Sequence, residues 1–361
     1  MLVAVLGVGL IGGSIGMAAR SRLDAEVSGF DPDSGLLSRA EELGAISSST
    51  GSVAEAVDGA EIVFCAAPVQ ALPSLAAEAL AASSDQTAVT DVGSVKREVL
   101  AALGEEGRFI GGHPLAGAET SGVEHARADL FEGARWYLTP GGRTEGVLYD
   151  RVQRTIADLG ARPQAIEAEV HDRLMATVSH LPHVLANVLV SQAATALTEE
   201  AERLPEIGPS FRDATRVAGA NPAVWGDIFT GNREAVAGEI DAVARRLSEA
   251  AELLRGGERA AVAAWHAAAG ERRRELLEAE LVGGPLHELR VRVPNRPGIV
   301  AELALALGRA GVNIEDMRVG KSPSGEAALM ALTTSTPVPP DVVDALRAER
   351  GVVDAKAIEL A

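Results

Sequence analysis

The first 166 residues alternate between short apolar runs and stretches with helical periodicity. The apolar runs predict six strands, which are "LVAVLG", "EVSGFD", "EIVFCAAP", "QTAVTDVG", "RFIGGH" and "RWYLTP". The stretches between them predict helices near residues 34–43, 71–82, 95–102 and 145–159. Because strands that alternate with helices are typical of a mostly parallel, doubly wound sheet, we predict an α/β domain over residues 1–166.

The pattern changes after residue 166. The strand signal disappears over residues 167–281, where "EAEVHDRLMATVSHLPHVLANVLVSQAATAL" and "REAVAGEIDAVARRLSEAAELLR" have helical periodicity and predict an all-α middle domain. "VGGPL" at residues 282–286 predicts a linker. Residues 286–361 then follow the order β-α-β-β-α-β, with helices over 298–310 and 340–349, which predicts a small ferredoxin-like α+β domain.

The N-terminal run "MLVAVLGVGLIGGSIGMAA" has the length and apolar character of a signal peptide. No Lys or Arg precedes it, and its glycines are spaced as in a phosphate-binding loop, so we expect a buried strand, a turn and a helix start. We expect no other segment to be long and apolar enough to span a membrane, and we expect a cytoplasmic protein. The single cysteine, Cys65, excludes an internal disulfide, and its apolar neighbours predict a buried thiol.

Charge restricts the partners of the chain. A formal net charge of −18 argues against nucleic acid or an anionic membrane, so an anionic ligand would need locally placed arginines. Arg212 and Arg216 are four residues apart and share one face of a predicted helix, which suggests a carboxylate clamp, with a solvated face as the alternative. The chain has neither a cysteine cluster nor an H-E-x-x-H motif, so we expect no metal site.

A glycine pattern, G-x-G-x-x-G, lies between the first predicted strand and the first helix, and Asp31 ends the next strand. This is the dinucleotide fingerprint of a Rossmann-type domain, in which the acidic residue binds the ribose 2′-hydroxyl and repels the 2′-phosphate of NADP. We therefore predict NAD as the cofactor, whereas the alternative is that the glycines only pack a helix on a strand. The predicted cofactor-binding residues are Gly7, Val8, Gly9, Leu10, Ile11, Gly12, Asp31 and Pro68.

Two candidate catalytic groups follow later strands. "TDVGSVK" places Ser94 just past one strand end, and "GGHPLAG" places His113 just past the next, at the sheet edge where such domains bind their cofactor. The glycines and Pro114 indicate a rigid loop rather than a strand interior, and a histidine held there suits general acid/base catalysis. The alternatives are a structural loop histidine and, for Ser94, an N-cap of the helix over 95–102.

Five motifs carry a resemblance to a known family. They are, in chain order, "GVGLIGGSIG", "DVGSVK", "GGHPLAGAETSG", "SHLPH" and "FRDATRVAGANPAVWGDIF". Together they cover roughly residues 1–281, and their combination resembles the prephenate/arogenate dehydrogenase family of tyrosine biosynthesis. The C-terminal segment, with "VRVPNRPGIVAELALALGRAGVNIEDMRV", resembles an ACT domain, an amino-acid-sensing module.

The resemblance implies an NAD-dependent oxidative decarboxylation of prephenate to 4-hydroxyphenylpyruvate, with arogenate as the alternative substrate. His113 matches the histidine that takes the proton of the ring 4-hydroxyl, and Ser94 matches the serine that bonds to this histidine and the substrate. Arg216 matches the arginine that binds a substrate carboxylate. Further positions that line the substrate pocket are Ser179, His183, Arg212, Trp225 and Ala118, the last of which stands where many relatives have Ser or Thr.

For the tail, the resemblance implies an aromatic amino acid effector, tyrosine first, bound between paired ACT domains, and a homodimer. The implied effector-binding residues are Asn295, Pro297, Gly298 and Asn313. The alternative is a tail that only holds the dimer together.

Two other functions stay open. One is a dehydrogenase of β-hydroxy acids, but such enzymes usually rely on a lysine of the helical domain, and no lysine occurs between Lys96 and Lys321. The other is a non-catalytic amino-acid sensor, against which the presence of the catalytic motifs argues.

Overall fold

The computed structural model describes residues 1–104, 106–117, 120, 122–198, 207–281, 287–294, 296–321, 327–334, 336–348 and 354–359. These residues form two compact units. The first contains the described residues up to His171 together with those after the linker, and the second contains the helical residues from Asp172 onward.

The first unit contains an eight-stranded sheet with the order β3-β2-β1-β4-β5-β6-β7-β8. Its strands are β1 (Leu2–Leu6), β2 (Glu26–Phe30), β3 (Ser48–Ser49), β4 (Ile62–Cys65), β5 (Ala88–Asp91), β6 (Phe109–Pro114), β7 (Arg135–Pro140) and β8 (Arg162–Ala165). Neighbouring strands are parallel except for β6 and β7, which are antiparallel. The predicted mostly parallel, doubly wound sheet is therefore confirmed, although the apolar pattern did not predict the short strands β3 and β8.

Helices cover both faces of this sheet. They are α1 (Leu10–Leu23), α2 (Ser34–Glu42), α3 (Val53–Val57), α4 (Leu72–Ala82), α5 (Arg97–Leu103) and α6 (Gly146–Asp158). Because successive side chains of a strand point to opposite faces, Val3 and Val5 of β1 belong to one apolar core and Ala4 and Leu6 to another. The N-terminal apolar run thus forms β1, a turn and α1, as predicted.

The predicted strand "RFIGGH" is confirmed as β6, which extends to Pro114, so His113 lies inside the strand and not just past its end as predicted. Residues 111–114 pair with the antiparallel strand β7, where His113 lies opposite Tyr137. A side chain at Gly111 would overlap the hydroxyl of Thr139, and one at Gly112 would overlap the backbone oxygen of Asp91. Glycine is needed here because neighbouring strands approach too closely for a Cβ, so the two glycines are strand residues.

The described residues of the middle segment are helical, which confirms the predicted all-α region. Its helices are α7 (Ala168–Met175), α8 (Leu181–Thr198), α9 (Pro209–Thr215), α10 (Pro222–Gly231), α11 (Arg233–Gly256) and α12 (Arg259–Leu281). A π-helical turn, Ala176–His180, joins α7 to α8, and π turns inside helices often accompany functional sites.

The continuous helical run Ala168–Thr195 is long and apolar enough, by length and composition, to cross a membrane. The expectation that no such segment exists was therefore wrong. Buried polar groups hold the first half of this run in the protein, since the Asn232 side chain donates to the Asp172 carbonyl (2.7 Å) and lies 3.2 Å from Nδ1 of His180. Core helices of globular proteins pass the same test of length and hydropathy.

The C-terminal segment forms a four-stranded antiparallel sheet with the order β10-β11-β9-β12. Its elements are β9 (His287–Pro294), α13 (Ile299–Arg309), β10 (Ile314–Lys321), β11 (Ala327–Thr334), α14 (Pro340–Ala348) and β12 (Asp354–Glu359). The predicted β-α-β-β-α-β order is confirmed. The apolar core is not separate, however, because Val291 and Leu303 belong to the same cluster as Val152 and Ile156 of α6.

Candidate active site

The turn between β1 and α1 has the shape that a dinucleotide requires. Gly7 has a φ of 95°, and a Cβ on it would overlap the backbone of Ala66, while a Cβ on Gly12 would overlap the carbonyl of Gly7. A Cβ on Gly9, in contrast, would meet no atom within 4 Å. The first and third glycines are therefore needed for packing, and the second leaves open space where a pyrophosphate could approach the start of α1. The residues present fit the predicted cofactor.

Asp31 follows β2 and lies beside this turn. One carboxylate oxygen accepts a hydrogen bond from the backbone N–H of Val8 (3.1 Å), and the other accepts one from Asp33 (3.0 Å). The half-buried carboxylate is thus held at the edge of the sheet next to the glycine turn, which is the position of a ribose-binding acid. Pro68 follows β4 at the same edge and is exposed.

A buried ion pair, which the sequence interpretation missed, supports the strand that carries His113. Lys96 and Asp91 are both fully buried and form a salt bridge. The Lys96 ammonium also donates to the carbonyl of Gly112 (2.6 Å), and the Asp91 carboxylate accepts from the N–H groups of Gly112 and Gly93 (both 2.9 Å). The pair therefore holds the residue before His113 and the residue before Ser94. Its signal in the sequence was the Asp and the Lys of "DVGSVK".

His113 has a partner that the sequence interpretation also missed. Its Nδ1 lies 2.9 Å from Nε2 of His171, and the two rings meet edge to face with centroids 5.1 Å apart. His171 is fully buried in α7, whereas His113 is partly exposed. The two histidines are 58 residues apart in the chain, so no local motif indicates the contact.

Ser94 is half-buried in the segment between β5 and α5. Because α5 begins at Arg97 with Lys96 as its N-cap residue, the alternative role of Ser94 as a helix cap was wrong. Among the described residues, no hydrogen bond joins Ser94 to His113, so the predicted bond between them stays a prediction. Ala118 and Asn295 lie outside the described residues.

In the helical unit, the structure brings together several of the predicted substrate-binding residues. The rings of His183 and Trp225 are stacked, with centroids 3.4 Å apart and an interplanar angle of 24°. Burial and the nearby Arg216 guanidinium lower the pKa of His183 below its ordinary value, whereas a backbone hydrogen bond at Val217 acts in the opposite direction. The first two effects favour the neutral imidazole of His183, and Arg216 supplies the positive charge beside it. Ser179 lies in the π-helical turn before His183.

The two arginines of the predicted clamp differ in position. Arg212 is in the last turn of α9, and Arg216 is the helical C-cap residue of the same helix. Both are exposed, and only Arg216 influences the pKa of His183.

Two other predicted groups are also described by the structure. Cys65 is fully buried in β4, as predicted, and burial raises the pKa of its thiol, with a further increase from Asp91 and an opposing effect of Lys96. It is therefore no nucleophile. The His, Cys, Asp and Glu side chains of the described residues form no group of three or more that could hold a metal ion.

Comparisons with known proteins agree with these features. Three family models match the chain: "Prephenate dehydrogenase, nucleotide-binding domain" over residues 15–165, "Prephenate dehydrogenase, dimerization domain" over 167–267, and "ACT domain" over 287–351. The prephenate dehydrogenase of Bacillus subtilis (strain 168) is 30% identical over 329 residues, which cover 88% of this chain and 87% of that protein. The chain belongs to the prephenate dehydrogenase family.

Two further relatives of this prephenate dehydrogenase family member are informative. The cyclohexadienyl dehydrogenase of Zymomonas mobilis is 33% identical over 66% of this chain and 83% of its own length. The crystal structure of prephenate dehydrogenase from A. aeolicus in complex with hydroxyphenyl propionate and NAD+ is 33% identical, has a TM-score of 0.70, and matches 76% of this chain and 98% of that chain. These findings confirm the predicted class of enzyme, an NAD-dependent dehydrogenase.

Proposed function

We propose that this chain catalyses the NAD-dependent oxidative decarboxylation of prephenate to 4-hydroxyphenylpyruvate. The observation that carries the proposal is the position of His113 near the carboxyl end of β6, supported from behind by the Asp91–Lys96 ion pair. Strands β1, β4, β5 and β6 are parallel, so His113 and the glycine turn share one edge of the sheet. The name of the Bacillus subtilis relative supports prephenate as the substrate.

The chemistry assigns a separate task to each group. His113 accepts the proton of the ring 4-hydroxyl as the C4–H bond breaks and the carbonyl forms. The glycine turn and Asp31 would hold NAD+, which would supply the hydride acceptor for C4. The ring carboxylate leaves as CO2, its bonding electrons enter the ring, and the C4 carbonyl becomes a phenolate oxygen that takes the proton back from His113. Arg216 binds a substrate carboxylate through a charge-assisted hydrogen bond and so fixes the orientation of the ring, while the neutral His183 adds a polar contact without a second charge.

The test is NADH formation by the purified full-length protein with prephenate and, separately, with arogenate. We expect the larger kcat/KM with prephenate. A larger value with arogenate would assign the enzyme to the alternative substrate, and no NADH with either compound would contradict the proposed function.

We further propose that the ACT domain binds an aromatic amino acid, tyrosine first, as an inhibitor. Asn313 and Gly298, two of the predicted effector-binding residues, face the sheet of the same chain. The Asn313 side-chain oxygen accepts a hydrogen bond from Gln164 of β8, and the N–H of Gly298 donates to Thr144 (3.0 Å). A cavity of about 100 Å³ adjoins Asn313 and is also lined by Glu167 and Val170.

This arrangement makes the effector proposal testable without removing the domain. Asn313 is one of the proposed effector contacts, and its side chain is held by Gln164 in the protein without effector, so a substitution at Asn313 tests the site directly. We expect millimolar tyrosine to inhibit the wild-type enzyme and Asn313→Ala to lose most of that inhibition at unchanged basal activity. An enzyme that ignores tyrosine, phenylalanine and tryptophan alike would make the tail structural.

We also propose that the enzyme is a homodimer joined through the helical unit. The match to a dimerization domain supports this, as do large apolar side chains that the unit exposes: Val188, Leu189, Ile240, Leu247, Leu254 and Trp265. Sedimentation of the wild type and of Leu247→Glu tests the proposal, with a shift toward monomer expected for the variant. We propose a cytoplasmic location, which is supported by the biosynthetic role of the family.

A further inference from the structure

His171 lies directly behind the proposed catalytic base. The first turn of α7 fixes its backbone, because the His171 N–H donates to the carbonyl of Glu167 (2.8 Å) and the Glu167 carboxylate accepts from the N–H of Val170 (2.9 Å). Its ring also meets the edge of Tyr137, with centroids 5.6 Å apart. Tyr137 lies opposite His113 in the β6–β7 pair, so strand pairing and helix start together fix both histidine rings.

The contact between the two rings restricts where protons can be. Their facing nitrogens, Nδ1 of His113 and Nε2 of His171, share one hydrogen bond and therefore one proton. If His171 donated, a neutral His113 would carry its own proton on Nε2 and could accept none there. If His113 donates through Nδ1–H, its Nε2 keeps a lone pair that can receive the substrate proton.

We propose that His171 is a positioning residue that accepts the Nδ1–H of His113 and so places the lone pair of His113 on Nε2, where it acts as the base. This inference rests on the proposed function, in which His113 takes the hydroxyl proton. After that transfer His113 is an imidazolium, and the same hydrogen bond persists as a charge-assisted one, which stabilises the product of the proton transfer. No change of ring orientation is needed between the two states.

Other charged groups close to this pair are fixed. On β5 and the segment after it, Asp91 and Lys96 neutralise each other behind Gly112, and on β7 the facing titratable side chain is Tyr137. On α7, Glu167 is engaged by the N–H of Val170, and Asp172 follows His171 and is buried. The acid side of the kcat–pH profile should thus report the histidine pair, because protonating His171 turns it from acceptor into donor.

The test compares two substitutions at His171. His171→Gln keeps a hydrogen-bonding group near the position of Nε2, whereas His171→Leu removes it at similar volume. We expect His171→Leu to lower kcat by about 10- to 100-fold with KM for NAD+ unchanged, and His171→Gln to recover most of the loss. Thr155→Val, which removes the buried hydroxyl that donates to the Arg151 carbonyl in α6, is the matched control and should keep wild-type kcat.

Nitrogen NMR of the His113 side chain gives a readout that a merely structural role would not change. In the wild type we expect the proton of neutral His113 on Nδ1, and in His171→Leu a mixture of both tautomers. If His171→Leu does not fold, the same spectrum of His171→Gln and its kcat decide the question, since this variant is expected to keep the wild-type tautomer.

The outcomes separate this inference from the proposed function. If His113→Asn abolishes activity but both His171 variants keep wild-type kcat, or if His171→Gln is as impaired as His171→Leu, the positioning role is wrong and the proposed function stands. If His113→Asn keeps wild-type kcat, the proposed base itself is wrong.

Discussion

His113 and Arg216 have proposed roles in the same reaction, yet their surroundings differ greatly. Fully buried groups lie behind His113, including the Asp91–Lys96 pair and His171, and the strand that carries it has no room for a Cβ at the two preceding positions. Arg216 instead is exposed at the end of the seven-residue helix α9, beside the His183–Trp225 stack. The proposed base is thus fixed by the core, whereas the proposed carboxylate-binding group is exposed, and we expect its substitution to leave the fold intact.

The largest effect is expected at His113. His113→Asn should lower kcat by about 10² to 10⁴, which is the usual contribution of a general base, and leave NAD+ affinity nearly unchanged. Steady-state kinetics and cofactor titration measure both quantities. The exposed His125 provides a control, since His125→Asn should behave as wild type. Near wild-type kcat in the His113 variant would remove this residue from the mechanism.

The next largest effect is expected on stability, when the buried Asp91–Lys96 ion pair behind His113 is broken. Lys96→Met leaves the Asp91 carboxylate buried without its partner and should lower the free energy of unfolding by about 3–5 kcal/mol in urea titrations. Arg154→Met breaks an exposed pair with Asp150 and should change it by less than about 1 kcal/mol. Equal losses of unfolding free energy in the two variants would mean that the buried Asp91–Lys96 pair stabilises the fold no more than the exposed pair does.

Arg216 tests the other side of the comparison. Arg216→Ala should lose about 2–5 kcal/mol of transition-state stabilisation in kcat/KM, with the folded state unaffected, because a charged hydrogen bond to the substrate is lost. Arg212→Ala, on the same helix, should lose less. Kinetics combined with thermal unfolding separate the two effects, and a more damaging Arg212 variant would reverse the assignment.

A smaller effect on kcat/KM is expected for the choice between NAD+ and NADP+. The Asp31 carboxylate repels a 2′-phosphate, so NAD+ should exceed NADP+ by at least about tenfold in kcat/KM, roughly 1.4 kcal/mol. Asp31→Ser should narrow this ratio, whereas Asp33→Ser, which replaces the N-cap carboxylate of α2 by another capping side chain, should not. Equal use of both cofactors by the wild type would contradict the prediction.

The smallest effect concerns His183. Because burial and Arg216 lower its pKa, the folded protein binds fewer protons there than the unfolded chain, so this part of the stability is present above about pH 6.5 and is lost as the pH falls through the lowered value. Arg216→Gln should raise the pKa of His183 and reduce this loss. NMR titration measures the pKa of His183 in the wild type and in Arg216→Gln. Urea unfolding above and below this pKa measures the free energy of unfolding that is lost. An unchanged pKa in Arg216→Gln would exclude the influence of Arg216.

The fold was largely predictable because each strand and helix of the first and last segments has its own local pattern. Strand β8 was missed since "RPQA" contains a proline and polar residues, which an edge strand tolerates. The strand "RFIGGH" was predicted, but His113 was placed just past its end, because the pairing of this end with the antiparallel strand β7 is not visible in a local window.

The candidate site was predictable only where a motif is contiguous. The glycine turn, Asp31 and His113 stand in recognisable local patterns. The contact of His113 with His171 depends on how β8 leads into α7, and the role of Lys96 depends on its side chain turning back to the Gly112 carbonyl. Both depend on side-chain packing that a local pattern does not specify. "DVGSVK" contains the Asp and the Lys but does not indicate their contact with Gly112, and no local motif links His113 to His171.

The shared apolar core of the sheet and the C-terminal segment has a consequence for synthesis of the protein. The ribosome completes β8 and the turn before α6 well before the chain that covers them, which includes Gly298 and its hydrogen bond to Thr144 (3.0 Å). During synthesis, the apolar surface of the first sheet and α6 therefore stays exposed to solvent until the C-terminal segment has left the ribosome. A premature stop codon late in the gene should therefore do more than remove the proposed effector site, since it leaves the apolar surface that the last segment covers exposed to aggregation.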